Sequence, residues 1–443
     1  MSAEQRSHTG KDPSFYLSQV RFHQSVKCTR THSRVTFALG GDGWDPAVTQ
    51  YYGQVGHEKS PTRVYSHKGQ LLLYMLPSGC SRLLGMLLDG VCRASNVSIL
   101  AIDRPGSGGT PMCPLQDRIA IATQQTQSVL EALQLDRVGQ PQVGLISHSA
   151  GWFYALALLE AAPQYFARSD SPTRCVFSSP FIPTSLSSST ALSLLPKGLV
   201  ALAPKVFPGV SRSLSWSTRL GEDILSVSRG LVSWKDAEMN PGLSQEQQKL
   251  EREKLKKKNR EVRERSKQKC PKARFHPPYE SHLKLALDAW KQPDLTSDDW
   301  PLHPKTNRRL KSGGDLLFDY FTEEGSIAGM TEDYLLCLGK APNLDNQALT
   351  QKVLRGLERS FQASVSVSGK PAELVVLWGD ADFIIPRKGR DYLDEVLKSP
   401  KFARNVTYQQ WVMAEAGHDA TLFSHDVIKE VLVFFQRDTL ESV

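Results

Sequence analysis

The sequence predicts an α/β fold in which a mostly parallel central sheet is flanked by helices. Six short strand-like runs, most of them continuously apolar, are typical of parallel strands that are buried on both faces. They are residues 71–76, 97–102, 142–146, 174–179, 374–378 and 406–412. Most lead into loops that carry glycine, proline or chemically reactive side chains, as the carboxyl ends of strands do in open α/β sheets.

The most informative segment is residues 142–159, an apolar run that breaks at the pentapeptide SHSAG, residues 147–151. We interpret it as a strand, a sharp turn and a helix, with Ser149 at the apex. Such a turn strains the apical residue and lifts its side chain clear of the sheet, so its neighbours must be small. Gly151 and Ser147 are small, although glycine is usual at both positions. An ordinary serine-rich loop is the alternative interpretation.

The order of the motifs resembles that of the α/β-hydrolase superfamily, in particular serine hydrolases of the AB hydrolase-1 type. In these proteins the nucleophile comes first, an acid follows a later strand, and a histidine follows the last strand. Ser149, Asp382 and His418 follow this order. The resemblance, over residues 65–181 and 346–443, implies an α/β-hydrolase fold with a large, mainly helical cap insertion. It also implies a catalytic triad in which His418 takes the serine proton and Asp382 orients the imidazole.

Two aspartates compete for the role of the acid, because Asp380 and Asp382 lie on the same loop. In the related enzymes the acid stands three residues after the glycine that ends the strand and a few residues before a proline. Gly379 and Pro386 give this register to Asp382. We expect Asp380 to cap the turn or face solvent, and His148 to pack behind the elbow rather than act as a second base.

The resemblance also implies an oxyanion hole made of two backbone N–H groups. Ala150, directly after the nucleophile, is expected to supply one of them. The other should come from the loop after the first apolar run, where Ser78 is the expected donor and Gly79 the alternative. Relatives commonly carry His-Gly before this donor, whereas this chain has leucine and proline at positions 76–77. Proline lacks an N–H, but the N–H required here belongs to the next residue.

A chain of 443 residues can hold one α/β core and a large insertion. The motif positions predict four segments: a poorly ordered N-terminal extension over 1–32, a first core part over 33–181, a cap insertion over 182–345 and a second core part over 346–443. Within the cap, an apolar part broken by prolines comes first and a basic arm over 244–274 follows. Two stretches with helical spacing, 315–321 and 334–338, come last.

The positive charge of the chain is concentrated in the basic arm. Residues 244–274 hold thirteen lysines and arginines against five glutamates, a balance equal to the +8 of the whole chain. We interpret the arm as solvated and mostly helical. Nucleic-acid binding is not expected, because the run has no interleaved aromatic residues and no recognised binding motif. A nuclear import signal and peripheral contact with anionic lipid are the alternatives.

Cysteine usage and the N-terminal sequence bear on the compartment. The seven cysteines form no C-x-x-C pair, which argues against a disulfide framework and against a zinc site. Neither a signal-peptide core nor an apolar run long enough to span a membrane is evident in the sequence. We therefore expect a cytoplasmic protein, with mitochondrial or nuclear localisation as alternatives. No metal or organic cofactor is expected, because a triad supplies the chemistry of acyl transfer.

The resemblance thus implies a serine hydrolase that cleaves an ester or related acyl bond of a small-molecule substrate through an acyl-enzyme. The apolar stretches of the cap favour an apolar or lipid-like acyl group. An acyltransferase that uses the same triad and a non-catalytic binding protein that kept the fold are the alternatives. Epoxide hydrolysis by the usual covalent route is disfavoured, because it uses a carboxylate where Ser149 stands.

Overall fold

The computed structural model describes residues 16–41, 44, 70–135, 142–169, 171–187, 272–276, 327–342, 345–382 and 384–441. Their strands are β1 (Gln24–Lys27), β2 (Arg34–Gly41), β3 (Gln70–Met75), β4 (Val97–Ile102), β5 (Val143–His148), β6 (Arg174–Ser178), β7 (Lys272–Phe275), β8 (Ala372–Gly379) and β9 (Val406–Met413). Their α-helices are α1 (Arg82–Gly85), α2 (Asp89–Ala94), α3 (Arg118–Ala132), α4 (Gly151–Ala161), α5 (Thr184–Ser187), α6 (Ile327–Cys337), α7 (Asn346–Ser368), α8 (Arg387–Lys398), α9 (Pro400–Ala403) and α10 (His425–Glu441).

These strands form one sheet in the order β1-β2-β4-β3-β5-β6-β8-β9-β7. Strand β2 runs antiparallel to both β1 and β4, and every pairing from β4 to β7 across the sheet is parallel. The mostly parallel sheet predicted from the sequence is therefore confirmed. The carboxyl ends of its parallel strands lie along one edge, where open α/β sheets place their sites.

The predicted apolar runs coincide with β3, β4, β5, β6, β8 and β9. Strand β3 shows why such runs lack polar positions. Leu71 and Leu73 belong to the core layer on one face of the sheet, and Leu72 and Tyr74 belong to the layer on the other. Because successive strand residues point to opposite faces, a strand covered on both sides requires apolar residues throughout.

Helices cover both faces of the sheet. One core layer includes Val129 of α3, Trp152 of α4 and Leu357 of α7, and the other includes Val91 of α2 and Val431 of α10. Among the described residues, no helix is both long and apolar enough to cross a membrane. The arrangement leaves the carboxyl edge of the sheet for the loops that carry the candidate site.

The predicted N-terminal extension, residues 1–32, overlaps the sheet. Strand β1 pairs with β2, Phe22 is fully buried, and Arg21 forms a salt bridge of 2.7 Å with buried Asp89. The described residues 16–32 therefore belong to the core, which corrects the predicted boundary. Strand β1 was not predicted, because four mostly polar residues are too short to show a period.

The chain also returns to the sheet within the predicted cap, residues 182–345. Strand β7 pairs in parallel with β9 at the sheet edge, and the rings of Phe275 and Trp411 lie 5.6 Å apart. Residues 272–274, the end of the predicted helical arm, are thus a strand. The rest of the arm, the stretch 315–321 and the proline-broken part beyond residue 187 lie outside the described residues. The predicted helical spacing at 334–338 is confirmed, because α6 covers most of that stretch.

Candidate active site

Five parallel strands bring the predicted site residues to one edge of the sheet. Strand β5 lies between β3 and β6, with β8 and then β9 beyond β6. The loop after β5 carries Ser149, the loop after β8 carries Asp382, and the loop after β9 carries His418. Residues separated by up to 269 positions in sequence therefore meet in space, at the edge that the sequence predicted.

Ser149 stands at a strained turn between β5 and α4. Its φ of 52° lies in the left-handed region, which costs a non-glycine residue roughly 1–2 kcal/mol. Two hydrogen bonds hold the turn: the N–H of Ser149 donates to the carbonyl of Ser178 at 3.0 Å, and the N–H of Phe181 donates to the carbonyl of Ser149 at 3.3 Å. The loop after β6 thus fixes the backbone that carries the candidate nucleophile.

Gly151, the first residue of α4, allows the elbow to lie against the end of β3. A Cβ at this position would stand 2.3 Å from the carbonyl oxygen of Met75 and 2.6 Å from that of Leu76. Both are backbone atoms, so a larger residue would force the elbow and β3 apart. Ser147, where glycine is usual, is fully buried within β5.

A continuous chain of hydrogen-bonding contacts joins the three predicted triad residues. Nε2 of His418 lies 2.8 Å from Oγ of Ser149, and Nδ1 of His418 lies 2.8 Å from Oδ2 of Asp382. When Nδ1 donates its proton to the carboxylate, Nε2 is left to accept the proton of the serine hydroxyl. The imidazole therefore has the orientation that a general base for Ser149 requires.

The acid is held by its own loop. The N–H groups of Ile384 and Ile385 each donate to Oδ1 of Asp382 at 2.9 Å, which leaves Oδ2 for His418. Burial alone would raise the pKa of Asp382, but the facing imidazole and the backbone donors more than offset it and hold the pKa below its usual value. The carboxylate is therefore ionised at neutral pH.

Asp380, the competing aspartate, closes a turn at the surface. Its Oδ1 accepts from the N–H of Glu415 at 2.5 Å, and its Oδ2 from Arg274 at 3.1 Å. His148 is buried behind the elbow, with its ring 5.5 Å from that of His418 and 5.8 Å from that of Phe423. Asp380 therefore lies at a surface turn and His148 behind the elbow, as the sequence predicted.

A threonine that the sequence analysis missed supports the histidine loop. The hydroxyl of Thr421 donates to the carbonyl oxygen of His418 at 3.0 Å and lies 2.7 Å from the hydroxyl of Ser178. It thereby ties the loop after β9 to the last residue of β6, whose carbonyl also accepts from the N–H of Ser149. A threonine three residues after a histidine has no distinctive pattern in sequence, so nothing there indicated this role.

The candidate oxyanion donors lie in two adjacent loops. Ala150 is buried at the start of α4, directly after Ser149. Ser78 and Gly79 are partly exposed in the loop after β3, and the carbonyl of Leu76, which begins this loop, lies against Gly151 at the start of α4. Gly79 has a φ of +75°, and a Cβ there would stand 2.5 Å from the sulfur of Met330. Helix α6 of the predicted cap therefore packs directly on this loop.

Comparisons with known proteins give no family model and no curated protein that matches the chain. Among solved structures, a carboxylesterase of the thaumarchaeon Nitrososphaera gargenis is 11% identical, with a TM-score of 0.44 and a match over 95% of this chain and 100% of that chain. A bromoperoxidase from Bacillus anthracis is 12% identical, with a TM-score of 0.44 over 94% and 99%. An epoxide hydrolase from Vigna radiata is 13% identical, with a TM-score of 0.42 over 95% and 98%.

The fold follows from the topology and the placement of the loops rather than from these scores. A parallel block of strands is bordered by the antiparallel β2, a strained serine turn joins β5 to α4, and the loops after β8 and β9 bring an aspartate and a histidine to that serine. The chain has the α/β-hydrolase fold.

Proposed function

We propose that this protein is a serine hydrolase that cleaves an ester or a related acyl bond. The observation that carries the proposal is the pair of 2.8 Å contacts that joins the hydroxyl of Ser149 through His418 to Asp382. A serine hydroxyl is a weak nucleophile at neutral pH and requires such a base. The elbow conformation of Ser149 and the ionised carboxylate of Asp382 support the same assignment.

In the proposed reaction, the oxygen of Ser149 attacks the acyl carbon while Nε2 of His418 takes the serine proton. The charge of Asp382 stabilises the imidazolium that forms. The oxyanion accepts hydrogen bonds from the N–H of Ala150 and from that of Ser78, with Gly79 as the alternative donor. The tetrahedral intermediate collapses, and the leaving group takes the proton from the imidazolium. Water then attacks the acyl carbon while His418 takes its proton, and Ser149 regains a proton from His418 as the acid is released.

We further propose an apolar acyl group as the substrate, because apolar side chains surround the elbow. The rings of Phe153 and Phe181 lie 6.3 Å apart. Phe153 belongs to the helix that follows Ser149, and the backbone N–H of Phe181 donates to the carbonyl of Ser149. Met330 of α6 covers the loop after β3. A series of p-nitrophenyl esters from acetyl to palmitoyl tests this: kcat/KM should rise with chain length, and a steady fall would contradict the proposal.

An activity-based fluorophosphonate probe tests the catalytic assignment itself. We expect the wild type to be labelled and Ser149→Ala to be unlabelled. Ser147→Ala is the matched control, because it removes the hydroxyl of a buried serine two residues earlier and should be labelled like the wild type. A well-folded wild type that does not react with the probe or with any ester would refute the proposed function.

A further inference from the structure

A buried cluster of charged and polar side chains joins α6 to the helices and loops of the core. Asp333 of α6, Arg118 at the start of α3 and Tyr154 of α4 are almost completely buried, and Arg104 in the loop after β4 is 7% exposed. The candidate triad includes none of the four. Their sequence separation reaches 229 residues, so the cluster forms only in the folded chain.

The carboxylate of Asp333 is the centre of this cluster. Its Oδ2 accepts from Arg104 at 2.6 Å, and its Oδ1 accepts from Arg118 at 2.9 Å and from the hydroxyl of Tyr154 at 2.7 Å. Burial opposes ionisation, but the two guanidinium groups hold the pKa of Asp333 below its usual value. Asp333 is therefore a buried carboxylate with both oxygens engaged.

The cluster fixes α6 on the loops around the site. Arg118 also donates to the carbonyl of Gly329 in α6 at 3.1 Å and to the carbonyl of Pro105, after β4, at 2.6 Å. Tyr154 belongs to the helix that begins at the serine elbow. A displacement of α6 would break the bonds to Asp333 and Gly329 together, because both residues belong to that helix.

Arg104 extends the cluster to the loop after β3, which carries the candidate oxyanion donors Ser78 and Gly79. Its guanidinium donates to the carbonyl oxygen of Leu76 and, at 2.6 Å, to that of Pro77. The C=O of Pro77 and the N–H of Ser78 belong to one peptide group, which is planar and, when trans, points the N–H opposite to the C=O. The hydrogen bond from Arg104 therefore sets the direction of the Ser78 N–H, the predicted oxyanion donor.

The same loop is confined on its other side by the elbow. The carbonyl oxygen of Leu76 faces Gly151, where an added Cβ would stand only 2.6 Å away. The loop after β3 is thus held between the guanidinium of Arg104 and the first residue of α4. A change in the position of Arg104 would therefore shift the Pro77–Ser78 peptide relative to the start of α4, which follows Ala150, the other candidate oxyanion donor.

We propose that Arg104 is a positioning residue that holds the Pro77–Ser78 peptide in the orientation required for oxyanion binding, and that Asp333 of α6 fixes Arg104 in this role. Hydrogen bonds through Arg104 then couple the loop after β3 to α6, so any movement of α6 away from the core misaligns the N–H of Ser78. The proposal rests on the serine hydrolase function proposed above.

Arg104→Lys tests the positioning role. A lysine ammonium keeps the charge, but it lacks the planar fork that reaches two carbonyl oxygens and a carboxylate at once. Loss of one oxyanion donor lowers kcat by about 10²-fold or more. In Arg104→Lys we therefore expect kcat to fall about 10²-fold, while KM changes less than about twofold. Arg174→Lys is the matched control and should leave kcat unchanged, because it alters a partly buried ion pair between Arg174 at the start of β6 and Glu373 of β8.

A comparison of an ester with its thionoester separates positioning from a general loss of structure. Sulfur accepts hydrogen bonds more weakly than oxygen, so a well-formed oxyanion hole favours the ester. In Arg104→Lys, the ester-to-thionoester rate ratio should fall about tenfold or more, on the same basis. Incorrectly folded enzyme would lower both rates equally and leave the ratio unchanged. Rates are to be expressed per active site titrated with the fluorophosphonate.

Asp333→Asn tests whether the carboxylate acts through Arg104. In the wild-type background we expect kcat to fall about tenfold, since a hydrogen bond to a charged group is replaced by a weaker neutral one. In the Arg104→Lys background the further loss should be less than about twofold, because the coupled partner is already altered. Fully additive losses would contradict the role of Asp333.

The outcomes also separate this inference from the proposed function. If the wild type neither reacts with the probe nor hydrolyses esters, the function proposal fails. If the wild type is active but Arg104→Lys keeps the wild-type kcat and thionoester ratio, only the positioning role fails. If Arg104→Lys does not fold, the thionoester ratio of Asp333→Asn decides, and an unchanged ratio overturns the inference.

Discussion

Substitution of Asp382 by asparagine tests the predicted register of the acid loop. The change keeps the shape of the side chain and leaves one oxygen for the N–H groups of Ile384 and Ile385. It places an NH₂ donor, or a weaker neutral acceptor, opposite Nδ1 of His418. With the NH₂ in that place, the imidazole must accept at Nδ1 and carry its proton on Nε2, where it can no longer take the proton of Ser149.

The expected loss of kcat is about 10⁴-fold, the effect of the equivalent change in a serine protease triad. At about 1.4 kcal/mol per factor of ten, this corresponds to about 5.5 kcal/mol of transition-state stabilisation. The burial of Asp382, at 4% exposed, supports a loss of this size, because solvent does not screen the carboxylate from the imidazolium. Binding of substrate should change little, since the carboxylate contacts the histidine and its own loop.

Asp380→Asn is the matched control, on the same loop two residues earlier. Asp380 accepts hydrogen bonds from Glu415 and Arg274 near the surface, so kcat should stay within about threefold of the wild type. The assay is the initial rate of ester hydrolysis together with the rate of fluorophosphonate labelling, with thermal unfolding as a check of folding. A folded Asp382→Asn variant within tenfold of the wild type, or a larger loss in Asp380→Asn, would refute the assignment.

Two further substitutions probe the elbow that carries Ser149 and a buried carboxyl group in α8. Gly151→Ala should lower the free energy of unfolding by about 1–3 kcal/mol, because the added Cβ would meet two backbone carbonyls at the end of β3. The rate of fluorophosphonate labelling should fall at least tenfold for the same reason. Wild-type values in the unfolding and labelling assays would contradict this prediction. Burial raises the pKa of Asp394 to about 6, so between about pH 4 and 6 the folded state keeps a proton that the unfolded state loses. Retention of this proton stabilises the folded state fully below pH 4, and the stabilisation is lost as the pH rises past 6. The difference in unfolding free energy between the wild type and Asp394→Asn should therefore fall by up to about 3 kcal/mol from pH 4 to 7.5, and a constant difference in urea titrations would contradict it.

The sheet strands that carry the candidate site could be predicted because they are buried on both faces. Continuous apolar runs such as 71–76 and 374–378 are too short to span a membrane and lack the period of a surface helix, so they indicate buried strands. The positions of Ser149, Asp382 and His418 could be predicted because each occupies a loop with its own local signature. The structure places the three side chains together, and their catalytic role remains the proposal that the labelling experiment tests.

Three of the nine described strands, β1, β2 and β7, were not predicted from the sequence, and a physical reason accounts for two of them. Strands β1 and β7 have four residues each and lie at the two edges of the sheet. An edge strand is paired on one side only, so its sequence is less constrained to be apolar. In β7 the basic residues Lys272 and Arg274 alternate with Ala273 and Phe275, a pattern hidden in the sequence by the charged run before it.

The proposed role of Arg104 accounts for a loop after β3 that differs from the one common in the α/β-hydrolases that the sequence resembles. A buried ion pair gives little net stability compared with an apolar replacement, so stability alone does not account for Asp333 and two buried arginines. A planar guanidinium can, however, hold two carbonyl oxygens and a carboxylate together, which no apolar side chain can do. Pro77 fixes its own φ, and Arg104 fixes its carbonyl, so the peptide that follows has little freedom left. The proline that replaces the usual glycine is therefore compatible with oxyanion binding because the cluster defines the direction of the next N–H.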